Sequence, residues 1–330
     1  MFNIKLILIL LNIPEIGRKT ANGLIKGKLP KNLESYSIFD FLNENMYKFK
    51  KINSINMKSI YDAKVKCENI LKKCEKEDIK IISILDDDFP EKLKNIKDNP
   101  LLIYYKGNID CIKNNQSICL IGRRKISQKG KEITGKIGQL LVENNFIIIS
   151  GLALGCDTYA HMSAIKNKGK TVAVMPCGLD IIYPLTNKDL FCDILKNKGC
   201  IVSEYAPGTK PYKYQFIERD RLESALSQAL IVIETTMTGG SMHTVNFALN
   251  QHRLVACCKN EINNHLIENK NIYSIYNKKS LYDFLNIVKS KIDKNYIEKE
   301  PLLMGGSFLV IYFILYNFIY YFQWLFEHKL

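Results

Sequence analysis

Between residues 118 and 257 the apolar residues gather into six short runs: Ile118–Ile121, Phe146–Ile149, Thr171–Met175, Cys200–Ser203, Leu230–Ile233 and Leu254–Cys257. Segments of helical length separate them, at 127–145, 157–168, 186–197, 218–227 and 241–251. A strand with one wet face alternates apolar and polar residues, whereas a strand that is apolar throughout is covered on both sides. Such strands alternating with helices predict an α/β fold, a parallel sheet with helices on both faces.

The chain ahead of that rhythm is helical. Leu6–Leu11 followed by Ile13-Pro14-Glu15-Ile16-Gly17-Arg18-Lys19-Thr20-Ala21 reads as helix, tight turn, helix, with Gly17 permitting the reversal. Free amides at the second helix start, with Arg18 and Lys19 beside them, suit a nucleic-acid phosphate; the same hairpin also builds scaffolds that bind nothing. Tyr61–Lys80 carries an apolar stripe of Val65, Ile70, Leu71 and Cys74, and Asp86-Asp87-Asp88-Phe89-Pro90 breaks that helix. Pro100–Tyr105 reads as a short strand before a Gly107-Asn108 turn. The expected divisions are an N-terminal helical domain over 1–75, a connecting segment over 76–115, the sheet domain over 116–288 and a basic linker over 289–301.

Leu302 to Phe326 carries no formal charge. As a helix it would reach about 37 Å, enough for a bilayer, so 302–326 is a candidate membrane anchor. Lys289, Lys291, Lys294 and Lys299 would then hold the preceding domain on the cytoplasmic side. A tail packed on the protein itself, or an end produced by a reading-frame change, are the alternatives. The apolar run near Met1 is short, has no small-residue cleavage site and passes straight into the hairpin, which argues against a signal peptide.

Charge narrows the partner. Forty-seven Lys and Arg against thirty-three Asp and Glu leave +14, which favours a polyanion or an anionic surface. The ten cysteines show no C-x-x-C and sit largely in apolar runs, as reduced thiols do, which predicts a cytoplasmic setting. The five histidines form no H-E-x-x-H or Cys/His ladder, so no metal is expected.

In an open parallel sheet, ligands collect beyond the carboxyl ends of the strands. After the first strand comes Gly122-Arg123-Arg124-Lys125; after the second, Ser150-Gly151-Leu152-Ala153-Leu154-Gly155-Cys156-Asp157, with His161 one turn on. After the fifth, Gly239-Gly240-Ser241 opens a helix with Thr244 in its first turn, physically a phosphate seat. Lys210, Lys213, Tyr214, Phe216, Arg219 and Arg221 interleave cations with aromatic surface, the pattern that holds a single strand by its backbone and its bases. Asp157 and His161, four residues apart, suit either an acid–base pair or a carboxylate steering a buried imidazole. Cys177-Gly178-Leu179-Asp180 before Tyr183-Pro184 reads better as a loop closing the pocket than as a reactive thiol. No G-x-G-x-x-G, Walker A or G-x-S-x-G motif is present, so neither a dinucleotide cofactor nor P-loop hydrolysis nor a nucleophile elbow is expected.

In order and spacing these elements resemble the DNA processing protein A family (DprA, also called Smf), from residue 1 to about 288. The carriers are Ser150-Gly151-Leu152-Ala153-x-Gly155-x-Asp157 with Ala160-His161, then Cys177-Gly178-Leu179-Asp180-Ile181-Ile182-Tyr183-Pro184. Ser203-Glu204-Tyr205-x-Pro207-Gly208, Arg219-x-Arg221, Gly240-Ser241-x-x-Thr244 and the opening Ile13-Pro14-x-Ile16-Gly17 complete the set. The resemblance implies a Rossmann-like sheet domain behind a small helix-hairpin (SAM-like) domain. It also implies non-catalytic binding of single-stranded DNA, a homodimer, no cofactor, and loading of the RecA recombinase during DNA uptake. Carried over by motif, Arg124, Arg219 and the Gly240-Ser241 turn would meet phosphates, and Lys213 and Phe216 would be the charged and stacking members. Arg123, Gly151, Gly155, Arg221 and Thr244 would belong to the same surface, and Asp157, His161, Gly178, Tyr183 and Pro184 would shape the pocket.

The chain departs from the family's usual residues at several places. Arg123 follows Gly122 where a Ser is usual, Leu154 stands for an Arg, and Asp220 replaces an Asn. Leu222-Glu223-Ser224-Ala225-Leu226 replaces an Ile-Ile-Ala-Gly-Leu run, Cys257-Cys258-Lys259 replaces a Pro-Gly, and 302–326 replaces a winged-helix end. Two other readings share the fold: a SLOG-type nucleotide sensor attached to the membrane, modestly favoured by Leu154 and Asp220, and a phosphoribohydrolase-like nucleotide enzyme, which lacks an identifiable catalytic carboxylate.

Overall fold

The computed structural model describes residues 1–45 and 55–299, and side chains through 293. The candidate anchor at 302–326 lies outside the described residues. Met1–Ser280 form one compact unit, and a second begins at Leu281 within a helix spanning Lys278–Lys299. Among the described residues no helix is long and apolar enough to cross a membrane.

Four helices open the chain: α1 (Phe2–Asn12), α2 (Arg18–Ile25), α3 (Ser35–Glu44) and α4 (Met57–Lys76). Helix α1 is buried from Leu6 through Leu10, as a helix that is apolar all round must be. Helix α4 starts at a reciprocal cap, Asn56 Oδ1 accepting from the Ser59 amide at 2.9 Å and Ser59 Oγ from the Asn56 amide at 3.2 Å.

Nine described strands then build a single sheet. They are β1 (Lys80–Ser83), β2 (Leu102–Gly107), β3 (Ser117–Ile121), β4 (Ile147–Ser150), β5 (Thr171–Met175), β6 (Cys200–Ser203), β7 (Ala229–Val232), β8 (Leu254–Cys258) and β9 (Ile272–Ile275). Their spatial order is β1-β2-β6-β5-β4-β3-β7-β8-β9. From β6 to β9 every pairing is parallel, with registers such as Cys119 opposite Leu230 and Val174 opposite Val202. The expected α/β architecture is therefore observed, with two additions, β9 beside β8 at one edge and a pair of strands at the other. The segment 76–115 supplies β1 and β2, and β2 joins β6 antiparallel, Tyr104 opposite Ser203.

Short helices α5 (Glu91–Lys94) and α6 (Asp110–Lys113) lie between β1 and β3. The crossovers of the parallel part are α7 (Gln128–Glu143), α8 (Cys156–Lys166), α9 (Lys188–Lys196), α10 (Lys213–Leu226), α11 (Ser241–Asn250) and the four-residue α12 (Asn264–Ile267). Side chains alternate between the two faces. Ala173, Met175 and Ile201 pack with Leu6, Leu8 and Leu10 of α1, while Val172, Val174 and Val202 pack with Leu222 and Leu226 of α10. The opening helices thus share a core with one face of the sheet. All ten cysteines are free thiols, nine of them buried.

Helix α10 is clamped at its far end. The Leu226 carbonyl accepts from Lys92 Nζ at 2.6 Å and Ser117 Oγ at 2.8 Å, and the Ala225 carbonyl from Arg253 at 3.0 Å. Cations there also suit the negative end of the helix dipole. Burial pushes the Lys92 ammonium down to about 7.

Leu10→Ala, at a fully buried position shared by helices and sheet, is expected to lower stability by about 2–5 kcal/mol. Urea unfolding followed by circular dichroism should show one transition, shifted as a whole. A separate early transition would mean that the opening helices fold apart from the sheet.

Candidate nucleic-acid interface

The chain reverses its direction of travel across the sheet between β3 and β7, and the loops at the carboxyl ends of β3, β4 and β5 surround a cleft beside that switch point. Its lining includes Arg124 after β3, Gly151, Ala153 and Leu154 after β4, Tyr183 and Pro184 after β5, and Phe216 and Arg219 of α10. Water-accessible space in the cleft is only about 50 Å³. That volume admits a phosphate oxygen or a water, whereas an enclosed small-molecule site takes roughly 300–1,000 Å³.

The aromatic floor is Phe216. Tyr183 meets it edge-on with centroids 5.5 Å apart, and the Arg124 guanidinium lies 5.5 Å above its centroid. Arg124 and Lys125 are exposed, as is Lys213, one turn before Phe216 on α10. Tyr183–Pro184 is a cis peptide. The loop bearing Arg124 is fixed from β7: Glu234 accepts from the Ser127 amide at 3.0 Å and from the Ser127 hydroxyl, while Ser127 Oγ caps α7 through the Gly130 amide.

Two glycines permit this geometry. Gly155 has φ +81°, and a Cβ there would strike the carbonyl oxygens of Arg123 and Arg124. A Cβ on Gly151 would strike the Arg219 guanidinium and the Glu223 carboxylate. Between them Leu152 sits at φ +58°, an uncommon backbone state for a residue with a side chain. The loop is held there by Asp157 Oδ2, which accepts from the Gly151 and Ala153 amides at 3.2 Å each, and by Asn187, whose amide donates to the Leu152 carbonyl at 2.8 Å. Gly178 makes another close approach: its added Cβ would lie 2.6 Å from the Ala206 carbonyl oxygen. Asp180 in that loop binds Lys73 of α4 at 2.7 Å and the Gly208 amide at 2.8 Å.

Arg219, expected at a phosphate, is 6% exposed, with its Nε and Nη1 engaged inside the protein. Nη1 donates to the carbonyls of Gly151 at 2.7 Å and Val174 at 2.8 Å, and Nε to Asp220 at 3.2 Å. Glu223 lies 3.2 Å from Nη1 as an ionic neighbour without a well-directed hydrogen bond. Burial alone would lower the Arg219 pKa, but Glu223, Asp220 and Asp157 together hold it above its ordinary value. One buried cation facing three carboxylates cannot keep all of them ionised cheaply. Burial accordingly raises Asp157, raises Asp220 to about 6 and raises Glu223 well above its ordinary value, against the opposing pull of Arg219.

Arg221, also expected on the surface, is 3% exposed and pairs with Glu204, its Nε 3.5 Å from Glu218. Arg18 of α2 closes the same network, at 2.9 Å from Glu204 and 3.3 Å from Glu218. The hairpin cation is thus spent on the scaffold. Gly240, Ser241 and Thr244 are not brought to the cleft lining. The Ser241 hydroxyl donates to Thr235 at 2.7 Å, and buried Thr244 faces Glu223. Half-buried Arg123 offers its carbonyl to the Cys156 amide at 3.1 Å.

His161 and Asp157 serve different partners, which ends the steering expectation. His161 Nδ1 lies 2.7 Å from Thr171 Oγ1, whose proton goes to the Ile148 carbonyl at 2.7 Å. Nδ1 must then be the donor, leaving the Nε2 lone pair without a partner. Burial, with Arg219 nearby, lowers the imidazole to about 3. Among the described residues no group of His, Cys, Asp and Glu is arranged to hold a metal ion.

Comparison with known proteins identifies relatives of this sequence and fold. The family model described as DNA recombination-mediator protein A matches residues 80–286. The chain belongs to that family. The recombination-mediator match extends to a Protein Smf of Borreliella burgdorferi, 33% identical over 289 residues, covering 84% of this chain and 89% of that one. DprA of Streptococcus pneumoniae is 43% identical over 171 residues, 52% of this chain; the match spans 60% of that relative's length. The solved structure of Streptococcus pneumoniae DprA aligns with TM-score 0.67 and 29% identity over 86% of this chain and 98% of that one. DprA of Helicobacter pylori, whose single-stranded DNA binding mode is described structurally, aligns with TM-score 0.57 and 26% identity over 66% of this chain and 96% of that one.

Sequence reasoning found the loops but missed Glu204, Glu223 and Glu234, the carboxylates that hold the site's cations and backbone. Glu204 and Glu234 stand just after strand ends, whereas Glu223 lies within α10, where nothing in the sequence marked it.

Two outcomes test this account. Arg219→Ala strands three buried carboxylates and should cost about 3–5 kcal/mol in urea unfolding. An exposed phosphate ligand would cost little. The second concerns pH. His161 titrates at about 3 folded against an ordinary 6.5, so the unfolded chain binds the extra proton and stability falls as pH drops below 6.5. At pH 5 this amounts to about 2 kcal/mol, so His161→Phe should lose correspondingly less stability than the parent between pH 7.5 and 5.

Proposed function

We propose that the protein binds single-stranded DNA across the cleft at the carboxyl edge of β3–β5, with little regard for sequence, and serves as a non-catalytic recombination mediator. One observation carries the reading: exposed Arg124 stacks over Phe216 in a cleft whose described lining holds no carboxylate. Lys125 and Lys213 are exposed on neighbouring elements, which gives a strand cations for its phosphates and an aromatic face for a base. Family membership supports the same role, as does the likeness to the Helicobacter pylori protein, which binds single-stranded DNA.

The proposal extends to the family's partners, a RecA-type recombinase and a second copy of this chain, on the resemblance alone. It places the protein in the cytoplasm, with 302–326, which carries no formal charge, as the candidate attachment to the inner face of the membrane. The buried cation–carboxylate cluster has a positioning role here: it fixes α10, whose first turns present Lys213 and Phe216.

Arg124→Ala and Lys213→Ala should each weaken binding to single strands of every sequence equally. Each should also reduce the slope of log affinity against log salt by about 0.7, the share of one phosphate on a single strand. Fluorescence anisotropy across a salt series measures both. Unchanged affinity and slope in the two variants would remove the cleft from the DNA path.

A further inference from the structure

Helix α10 presents a second aromatic feature beside Phe216. Tyr212, immediately before the helix, and Tyr214, within its first turn, hold their rings nearly parallel, 6° apart, with centroids 6.3 Å from each other. They are 56% and 62% exposed. Large rings left in water are the informative kind of exposure, and exposed Lys213 stands between them in sequence.

The spacing is suggestive in itself. Stacked bases repeat at about 3.4 Å along a strand, so a planar base held between two rings needs them about 7 Å apart. The tyrosines are parallel with centroids 6.3 Å apart, and side-chain rotation in exposed residues, which takes only nanoseconds, lets them open to admit a base. The backbone beneath them is fixed: the Tyr212 amide donates to Gln215 Oε1 at 2.6 Å, and buried Gln215 returns its amide to the Tyr212 carbonyl at 3.0 Å. Exposed Lys213 lies between the two rings in sequence, at the positive end of a fourteen-residue helix, where a phosphate is favoured.

Resting on the single-strand reading above, we propose that Tyr212 and Tyr214 form a clamp that takes one unpaired base between their rings, next to the Phe216 platform. A base covered by tyrosine on both faces has left the stack of a duplex. The clamp therefore selects single strands over double ones without reading sequence.

The test uses the full chain and two oligonucleotides of equal length, one ordinary single strand and one whose nucleotides are abasic, with phosphates but no bases. Tyr212→Leu and Tyr214→Leu should each weaken binding of the ordinary strand roughly 5- to 100-fold, the range for losing one base–aromatic stack. Neither should change the affinity for the abasic strand or the salt slope, and Tyr→Phe at both positions should restore binding. Equal loss on both DNAs, or no rescue by Phe, would show a structural or hydroxyl role and overturn the clamp. Parent protein that binds the ordinary strand while the Leu variants bind it equally well would overturn the clamp alone. A parent that ignores single strands altogether would take the functional reading down with it.

Discussion

The guanidinium of Arg219 is the joint on which this protein is assembled. It reaches from α10 to the ends of two neighbouring strands, bonding the carbonyls of Gly151 after β4 and Val174 within β5. Three carboxylates, Asp157, Asp220 and Glu223, neutralise it in the interior. Desolvating such a cluster is costly, and it contributes little net stability compared with a well-packed apolar core. Its contribution is placement. With Arg219 seated, the first turns of α10 are aimed over the cleft, and Gly151 has to be a glycine because a Cβ would occupy the guanidinium's position.

The same helix is held at three points along its length by different chemistry. The ring of Arg18, Glu204, Arg221 and Glu218 ties its middle to α2, and Lys92, Ser117 and Arg253 collect the carbonyls at its end. Lys73 to Asp180 adds a further tie between α4 and the loop after β5. Read together, these contacts give the opening hairpin a physical task without any DNA: its one well-placed cation, Arg18, is half of a scaffold joint. Among the cations that remain exposed on the elements around the cleft are Arg124, Lys125 and Lys213.

Much of the fold was legible because continuous apolar runs have one stable use, a strand covered on both faces. Strands β3 to β8 fall within a residue or two of their expected places, whereas β9, with only its two end residues buried, carried too little pattern to be seen. The sequence pattern read a strand at 100–105 but could not say where it joins, since its partner β6 lies about a hundred residues on. Strand β1, four residues with one exposed end, carried too little pattern to be seen. Helix α10 begins at Lys213 rather than 218 because its first turn is an exposed platform and follows no apolar stripe. Arg219 and Arg221 were taken for surface cations for a related reason. A cation's burial is decided by partners distant in sequence, here Gly151, Asp157 and Glu204, and residue type alone says only that Arg is usually exposed. The Gly240-Ser241 turn shows the converse, a loop whose composition suits an anion while its hydroxyl is used internally.

That distribution of charge also separates the readings open at the level of sequence. A nucleotide-cleaving enzyme needs a carboxylate free to take or give a proton at the substrate. Asp157, Asp220 and Glu223 stand behind Gly151, committed to one buried cation and to backbone amides, and none of them lines the cleft. A sensor of mononucleotides needs a pocket that encloses its ligand, and about 50 Å³ of water-accessible space encloses none. An open cleft with an aromatic floor beneath one exposed arginine is poorly made for either task. It suits a polymer that is held at several weak points along its length, where no single base has to be recognised and affinity accumulates from phosphate to phosphate.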